Sequence, residues 1–294
     1  MVVRSAPISY SAMPDGNALQ VTASDRGIEE PMDEPFYKTA AIGYDELFAR
    51  ATNSFIPSLL RSARIAPGQR VLDVATGTGA AAQAAAMIVG ASGSVIGGDI
   101  SPSMLESAKR NLKNQPIGLV SFDAHALPYE DCQFDAVICQ LGLMFFSDPI
   151  AALSEFRRVL RPKSWTAVSV TTTPERSLFA RVGAVIARYI PEKAEKLNRF
   201  FSIPDATRLH SLLRRAGFQD VDVQLETRLI KFSSFDDYFS GVAKGAGLSG
   251  QEYVQLPPDM KLVVRDEVWR GLASPNAGEP LTIEIDVLIG SGER

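Results

Sequence analysis

Short apolar runs recur along the central part of the chain, and segments with helical periodicity lie between most of them. The predicted strands are residues 70–75, 95–99, 118–123, 134–140 and 165–171. The predicted helices that lie between strands are residues 78–90, 101–114 and 149–160. Near-continuous apolar strands are covered on both faces, and strands that alternate with helices form a parallel, doubly wound α/β sheet.

The regions on either side have different patterns. Residues 1–33 lack periodicity and predict a flexible N-terminal arm, whereas residues 34–66 have helical spacing. The core is predicted at 67–172. In the remaining segment, 173–294, residues 220–232 and 281–289 alternate like strands, which makes seven strands in all. Two helical regions are predicted in this segment: residues 174–199, which form one or two helices, and residues 205–216. We expect the segments 174–204 and 233–278 to form a helical cap over the strand ends, where a substrate would bind.

Composition excludes several classes of function. The net charge is −4 and no Lys/Arg run occurs, which argues against a nucleic-acid partner. No apolar run reaches the roughly 18 residues of a membrane span, and no secretory signal is visible. Cys132 and Cys139 fit no metal-ligand spacing. We therefore expect a cytoplasmic protein with a small-molecule partner and no metal; the sequence does not predict the oligomeric state.

The candidate chemistry lies where the first strand meets a glycine loop. Gly77 and Gly79 lack a Cβ, so a ligand can approach the backbone closely, and the helix that follows begins with unpaired N–H groups. Residues 77–82 satisfy the dinucleotide pattern G-x-G-x-x-A, and Asp99 lies 22 residues after Gly77, where an acid can accept hydrogen bonds from a ribose diol. These features alone also fit NAD.

Two further carboxylates favour a cationic adenosyl ligand. Asp73, inside the first strand, would repel a pyrophosphate but suits an ammonium or sulfonium group. Asp123 closes the third strand and can accept from the exocyclic amine of adenine. The alternative for Asp73 is a loop-stabilising role, in which it accepts from backbone N–H groups.

Five segments in order resemble class I S-adenosylmethionine (SAM)-dependent methyltransferases. They are 71–79, similar to the glycine-rich motif, 98–108, 122–129, 134–140 and 154–162. The similarity is greatest to the small-molecule branch that contains ubiquinone/menaquinone C-methyltransferases (methyltransferase type 11). It implies a Rossmann-like fold, with SAM as cofactor and S-adenosylhomocysteine as product. Two positions depart from the family pattern: Ala75 replaces a glycine, and Lys163-Ser164 replaces a Gly-Gly turn. If that turn needs a positive φ, each non-glycine residue in it costs about 1 kcal/mol of stability.

The resemblance implies roles for individual residues. Ile100 and Met104 would sandwich the adenine, the Ala124 N–H would meet it, and the Gln140 carbonyl would accept the ammonium. The expected cofactor-binding residues are Tyr44, Asp73, Ala75, Thr76, Gly77, Gly79, Asp99, Ile100, Met104, Asp123, Ala124, His125 and Gln140. Tyr37, Phe145 and Phe146 are expected to line the substrate pocket. For each apolar residue the alternative is ordinary core packing.

These residues predict transfer of a methyl group from SAM to a small organic acceptor. The sequence supplies no convincing general base, and His125 is expected to pack on the cofactor. The alternatives are an NAD-linked oxidoreductase and a SAM-binding protein that does not transfer a methyl group.

Overall fold

The computed structural model describes residues 51–177, 180–245, 247–272 and 279–294. The predicted arm at 1–33 and the first part of the predicted helical segment, up to residue 50, lie outside these residues. The strands are β1 Arg70–Val74, β2 Ser94–Asp99, β3 Ile117–Ser121, β4 Phe134–Gln140, β5 Leu160–Thr171, β6 Gln219–Phe232 and β7 Leu281–Glu293.

Ten α-helices lie wholly within the described part of the chain. They are α1 Ile56–Ser62, α2 Ala80–Val89, α3 Pro102–Asn111, α4 Pro149–Val159, α5 Ala180–Tyr189, α6 Ala194–Asn198, α7 Ala206–Arg215, α8 Phe235–Ala243, α9 Gly247–Val254 and α10 Pro258–Gly271. Short 3-10 turns, including Leu143–Phe145 and Arg199–Phe201, connect several of them.

The seven strands form one sheet in the order β3-β2-β1-β4-β5-β7-β6. The five strands β1 to β5 run parallel, and β7 is antiparallel to both β5 and β6. This confirms the predicted doubly wound, mostly parallel sheet. The strand order reverses between β1 and β4, and ligands of such sheets bind beyond the carboxyl ends of the strands at this switch point.

Local sequence explains where the helices around the site begin. The Ser101 hydroxyl accepts a hydrogen bond from Met104 N at 3.3 Å, and Pro102 follows as the first helical residue of α3. The Asp148 carboxylate caps α4 by accepting from two backbone N–H groups, and Asp205 caps α7. Ser101 and Asp205 are thus the N-cap residues of α3 and α7.

The fifth strand differs from its prediction. It was expected to begin at residue 165, but β5 begins at Leu160, which pairs with Phe134 across a register shift. Lys163 has a positive φ of 63°, the backbone conformation that costs a non-glycine residue about 1 kcal/mol. The backbone nevertheless continues as a strand here, and Arg294 N donates to the Ser164 carbonyl at 2.9 Å. The partner lies at the other end of the described chain, which local pattern could not indicate.

Candidate functional site

A cavity of about 600 Å³ opens at the carboxyl ends of the central strands. Its wall includes the last residues of β1, β2 and β4 together with the glycine loop, and it extends to β5, β7 and the helices of the segment 174–254. The volume lies within the range of roughly 300–1,000 Å³ that small-molecule sites occupy. The cavity therefore lies at the switch point that the strand order defines.

The glycine loop after β1 is held to the end of β2. Thr76 N donates to the Gly98 carbonyl at 2.9 Å, and Gly77 N donates to Asp99 Oδ2 at 2.9 Å. Gly77 has φ 56° and borders the cavity, and a Cβ added there would meet nothing within 4 Å. Its backbone thus faces open space that a ligand can occupy. Ala75 also has a positive φ, 57°, so the alanine is tolerated there with some backbone strain.

Gly79 is the N-cap of α2. It has the left-handed conformation, at φ 91°, and does not line the cavity. A Cβ added to Gly79 would lie 2.7 Å from Leu112 Cδ1, so glycine is required there by packing against the residue after α3. The approach of the ligand itself to this backbone, which we expected, stays a prediction.

The Asp99 carboxylate is the acid that the structure places at the cavity floor. Oδ1 accepts from Ser101 N at 2.9 Å while Oδ2 accepts from Gly77 N, and each oxygen keeps a second lone pair for a ligand hydroxyl. Burial raises the pKa of Asp99, and the backbone N–H groups oppose this shift. The arrangement suits a pair of vicinal hydroxyl groups, which donate hydrogen bonds without bringing charge.

Asp73 lies beneath the loop instead of in the cavity wall. It is fully buried, and its Oδ2 accepts from the Thr76 hydroxyl at 2.7 Å, whereas Oδ1 has no hydrogen-bond partner among the described residues. Burial raises the pKa of Asp73 to about 7, although the Thr76 hydrogen bond lowers it. The structure therefore shows Asp73 stabilising the loop, with a hydroxyl as the donor. Its role in orienting an ammonium, directly or through water, stays a prediction.

Ile100 and Met104 lie beside Asp99 in the cavity wall. Ile100 is 47 % exposed, which separates it from ordinary core residues, whereas Met104 is buried. Asp123 and Ala124 also line the cavity, although β3 ends at Ser121 and Asp123 lies two residues beyond the strand. These residues together form an apolar slot with one carboxylate at its edge.

His125 is fixed by hydrogen bonds on both ring nitrogens. Asp148 N donates to Nε2 at 3.2 Å, so Nε2 carries no proton, and Nδ1 donates to Asp123 Oδ1 at 2.6 Å. Its ring also packs edge-on against Phe146, with the ring centroids 5.7 Å apart. His125 therefore positions Asp123 and the start of α4. Packing of its ring on the cofactor stays a prediction.

Gln140 at the end of β4 connects the sheet to the segment before α1. Its Nε2 donates to the Thr52 carbonyl at 2.8 Å. A second cavity of about 40 Å³ adjoins this bond, and its lining includes Thr76, Gly77, Thr78 and Ala80 at the start of α2. The two cavities share Thr52, Ala75, Gly77, Gln140 and Leu141, so they meet above the glycine loop.

Phe145 and Phe146 both line the main cavity, and Phe145 packs edge-on against Phe200 with centroids 5.0 Å apart. Polar residues that the sequence analysis did not single out complete this half of the wall: Thr171, Ser177, Lys196, Arg199 and Asp286. The sequence indicated only that these residues belong to the predicted cap and to the last strands of the sheet. Tyr37 and Tyr44 lie outside the described residues.

An adenosyl donor fits these residues. Gly77 offers open backbone, Asp99 offers two acceptors for a diol, and the slot at Ile100 and Met104 is apolar with Asp123 at its edge. Because Asp73 is buried away from the cavity, it cannot by itself discriminate between SAM and a pyrophosphate.

The comparisons with known proteins favour SAM over a pyrophosphate ligand. A family profile described as "Methyltransferase domain" matches residues 72–168. Demethylmenaquinone methyltransferase of Staphylococcus carnosus is 32 % identical over 179 residues, which cover 56 % of this chain and 74 % of the relative. The same enzyme of Clavibacter sepedonicus is 33 % identical over 196 residues, covering 62 % of this chain and 76 % of the relative.

Solved structures show the same fold. Phosphoethanolamine N-methyltransferase 2 of Haemonchus contortus, in complex with SAM, superposes with a TM-score of 0.56 at 16 % identity and covers 87 % of this chain and 57 % of that one. A protein of Bacillus halodurans assigned to the methyltransferases gives a TM-score of 0.55 at 22 % identity, with 82 % of this chain and 98 % of that chain covered. At these identities the likeness concerns the fold alone.

Proposed function

The chain belongs to the SAM-dependent methyltransferase family that includes the demethylmenaquinone methyltransferases, and from that premise we propose how its cavity is divided between donor and acceptor. Methyl transfer from SAM is the activity of this family, and nothing in the comparisons favours the NAD-linked alternative. What remains to be assigned is which residues hold the cofactor and where the acceptor binds.

The cofactor half of the site comprises the loop after β1 and the ends of β2 and β3. Asp99 holds the ribose hydroxyls, Ile100 and Met104 enclose the adenine, and Asp123 accepts from its amine. The methionine portion lies over Gly77, toward the smaller cavity at Gln140 and the start of α2. The observation that carries this assignment is the pair of hydrogen bonds from Gly77 N and Ser101 N to Asp99, since they fix the carboxylate at the cavity floor.

The acceptor half lies beyond Gln140, where Phe145, Phe146 and Phe200 line the cavity. Bound SAM supplies a methyl group already activated by the positive sulfonium. The residues of this chain need to align the acceptor and exclude water, which can lower the barrier by several kcal/mol. Aromatic faces near the sulfonium also favour its positive charge. The segments 174–204 and 233–278 both contribute to this wall, in agreement with their proposed role as the substrate cap.

The acceptor is proposed to be a small organic molecule. The two relatives act, by their names, on demethylmenaquinone, which is a small molecule and supports this class. None of the described helices is long and apolar enough to cross a membrane. A cytoplasmic location and the absence of a nucleic-acid partner stay predictions from composition.

Calorimetric titration with S-adenosylhomocysteine tests the cofactor half. Asp99→Asn removes the charge and leaves one side-chain acceptor, and a hydrogen bond to a charged group contributes about 1.5–3 kcal/mol. We therefore expect the Kd of the variant to rise by about tenfold or more. Asp131→Asn is the matched control, because its exposed carboxylate pairs with Arg158 at 3.0 Å and does not line the cavity.

Two results would contradict the assignment. The first is that the wild-type protein binds NADH but not S-adenosylhomocysteine. The second is that Asp99→Asn and Asp131→Asn bind S-adenosylhomocysteine equally well.

A further inference from the structure

The loop between β3 and β4 holds a carboxylate and a histidine side by side. Asp123 and His125 both line the cavity, and the ring Nδ1 of His125 lies 2.6 Å from Asp123 Oδ1. We propose that His125 is a positioning residue that makes the donor site selective for adenine, because it holds Asp123 in the orientation that accepts from the exocyclic amine. This inference rests on the proposed placement of adenine beside Asp123 and adds the residue that decides which base is accepted.

The base of this loop is tied to the strand that ends in Asp99. Phe122 N donates to the Asp99 carbonyl at 3.3 Å, and the Phe122 ring lies against Gly98, where an added Cβ would be 2.0 Å from it. Asp123 is the next residue. The two carboxylates proposed to bind the ribose and the adenine are therefore held on neighbouring chain segments, as the two parts of one nucleoside require.

One oxygen of the Asp123 carboxylate is fully occupied. Oδ1 accepts from the backbone N of His125 at 2.9 Å and from its ring Nδ1 at 2.6 Å, which uses both lone pairs. Oδ2 accepts no hydrogen bond from the described residues. The Asp123 side chain is 50 % exposed, and the terminal torsion of an aspartate is soft, so the carboxylate needs such bonds to keep one orientation. The two bonds to Oδ1 leave Oδ2 as the acceptor for a ligand.

The ring of His125 is itself fixed from the other side. Asp148 N donates to Nε2 at 3.2 Å, and Asp148 is the N-cap residue of α4. Phe146 packs edge-on against the ring, with the centroids 5.7 Å apart. Because a donor occupies Nε2, the proton of the neutral imidazole is on Nδ1 and is donated to Asp123. The imidazole therefore connects the carboxylate to the start of a helix.

The chemistry of the base explains why a fixed carboxylate is selective. The amino group of adenine donates a hydrogen bond, and an ionised carboxylate can only accept one. Hypoxanthine, the base of inosine, has a carbonyl at the same position, so two acceptors would face each other. A site built to bond one polar group rejects an analogue that lacks it far more strongly than an apolar pocket does. A carboxylate that could turn toward water would lose this discrimination.

Calorimetric titration of the full chain with S-adenosylhomocysteine and S-inosylhomocysteine tests the proposal. The two ligands differ only in the base. We expect the wild-type protein to bind S-adenosylhomocysteine at least about tenfold more tightly than the inosine analogue. His125→Phe keeps a ring against Phe146 and removes both nitrogens, so it should reduce this ratio to about threefold or less by weakening S-adenosylhomocysteine alone. His125→Gln retains an amide donor and should keep part of the preference.

Two further variants distinguish positioning of Asp123 from a general structural role. His210→Ala is the matched control, because His210 is exposed in α7 and does not line the cavity, and its ratio of affinities should equal that of the wild type. In an Asp123→Ala background, His125→Phe should have no further effect on the ratio, because His125 acts on the base only through Asp123. Thermal unfolding shows which variants are folded, and His125→Ala replaces His125→Phe if the latter does not fold.

The possible failures are distinguishable. If the wild-type protein does not bind S-adenosylhomocysteine, the cofactor assignment itself is wrong. If it binds S-adenosylhomocysteine but discriminates less than about tenfold against the inosine analogue, Asp123 does not select the amine and only the present proposal is overturned. The proposal is also overturned if His125→Phe weakens both ligands equally, or if it still changes the ratio when residue 123 is alanine.

Discussion

Replacing Asp73 by asparagine should change how the stability of the protein depends on pH. Asp73 is fully buried beneath the glycine loop, and its pKa rises from 3.8 to about 7 because burial disfavours the carboxylate. Asparagine has nearly the same shape and can still accept from the Thr76 hydroxyl. The variant therefore imitates the protonated form at every pH.

The sign follows from the raised pKa. Between pH 3.8 and about 7 the folded protein keeps a proton on Asp73 that the unfolded chain has lost. Stability from this group is complete below pH 3.8 and is lost as the pH rises through 7. At 1.36 kcal/mol per pKa unit the whole effect is about 4 kcal/mol, of which about 2.5 kcal/mol falls between pH 5 and pH 8.

Urea denaturation of the cofactor-free protein at pH 5, 6, 7 and 8 measures this effect. The free energy of unfolding of wild type minus that of Asp73→Asn should fall by about 2.5 kcal/mol over that range. Subtracting the variant removes most of the contribution of Asp99, whose pKa is raised by burial as well. Thr76→Val should move the transition to higher pH, because the Thr76 hydrogen bond lowers the pKa of Asp73.

A difference between wild type and Asp73→Asn that stays constant from pH 5 to pH 8 would refute the reasoning. So would a difference that grows with pH, because that sign requires a carboxylate stabilised by the fold.

Two pairs of glycine substitutions give the remaining predictions. Gly98→Ala should destabilise the protein by about 1–3 kcal/mol or prevent folding, because a Cβ there would lie 2.0 Å from the Phe122 ring. Gly118→Ala on the neighbouring strand should fold normally, because the nearest atom, Ile96 Cγ1, would lie 3.6 Å away. Thermal unfolding of the two variants checks this, and equal melting temperatures would contradict it. Gly77→Ala and Gly68→Ala should both cost about 1 kcal/mol of stability, since both positions have a positive φ without a close contact. Only Gly77→Ala should weaken binding of S-adenosylhomocysteine, by about tenfold or more in calorimetry, because only Gly77 borders the cavity; equal affinities would show that the cofactor does not lie on this backbone.

The sequence by itself determined the order of the elements and the half of the site that the sheet builds. Apolar runs located β1 to β4, and Asp99 was placed at a strand end by its spacing from Gly77. Local pattern suffices there because parallel strands bring their carboxyl ends to one edge, so residues that end neighbouring strands must lie close together.

Only the tertiary structure decided which way individual side chains face and what closes the cavity. Asp73 lies in a strand covered on both faces, so its pattern could not show that it is buried with Thr76 instead of exposed to a ligand. Position 79 needs glycine because a Cβ there would lie 2.7 Å from Leu112 Cδ1, and Leu112 is thirty-three residues further along the chain. Ser177, Arg199 and Asp286 line the acceptor half of the cavity, although they come from distant segments with no shared local motif. Local patterns record what each segment prefers alone, whereas these contacts exist only after the sheet and cap have packed together.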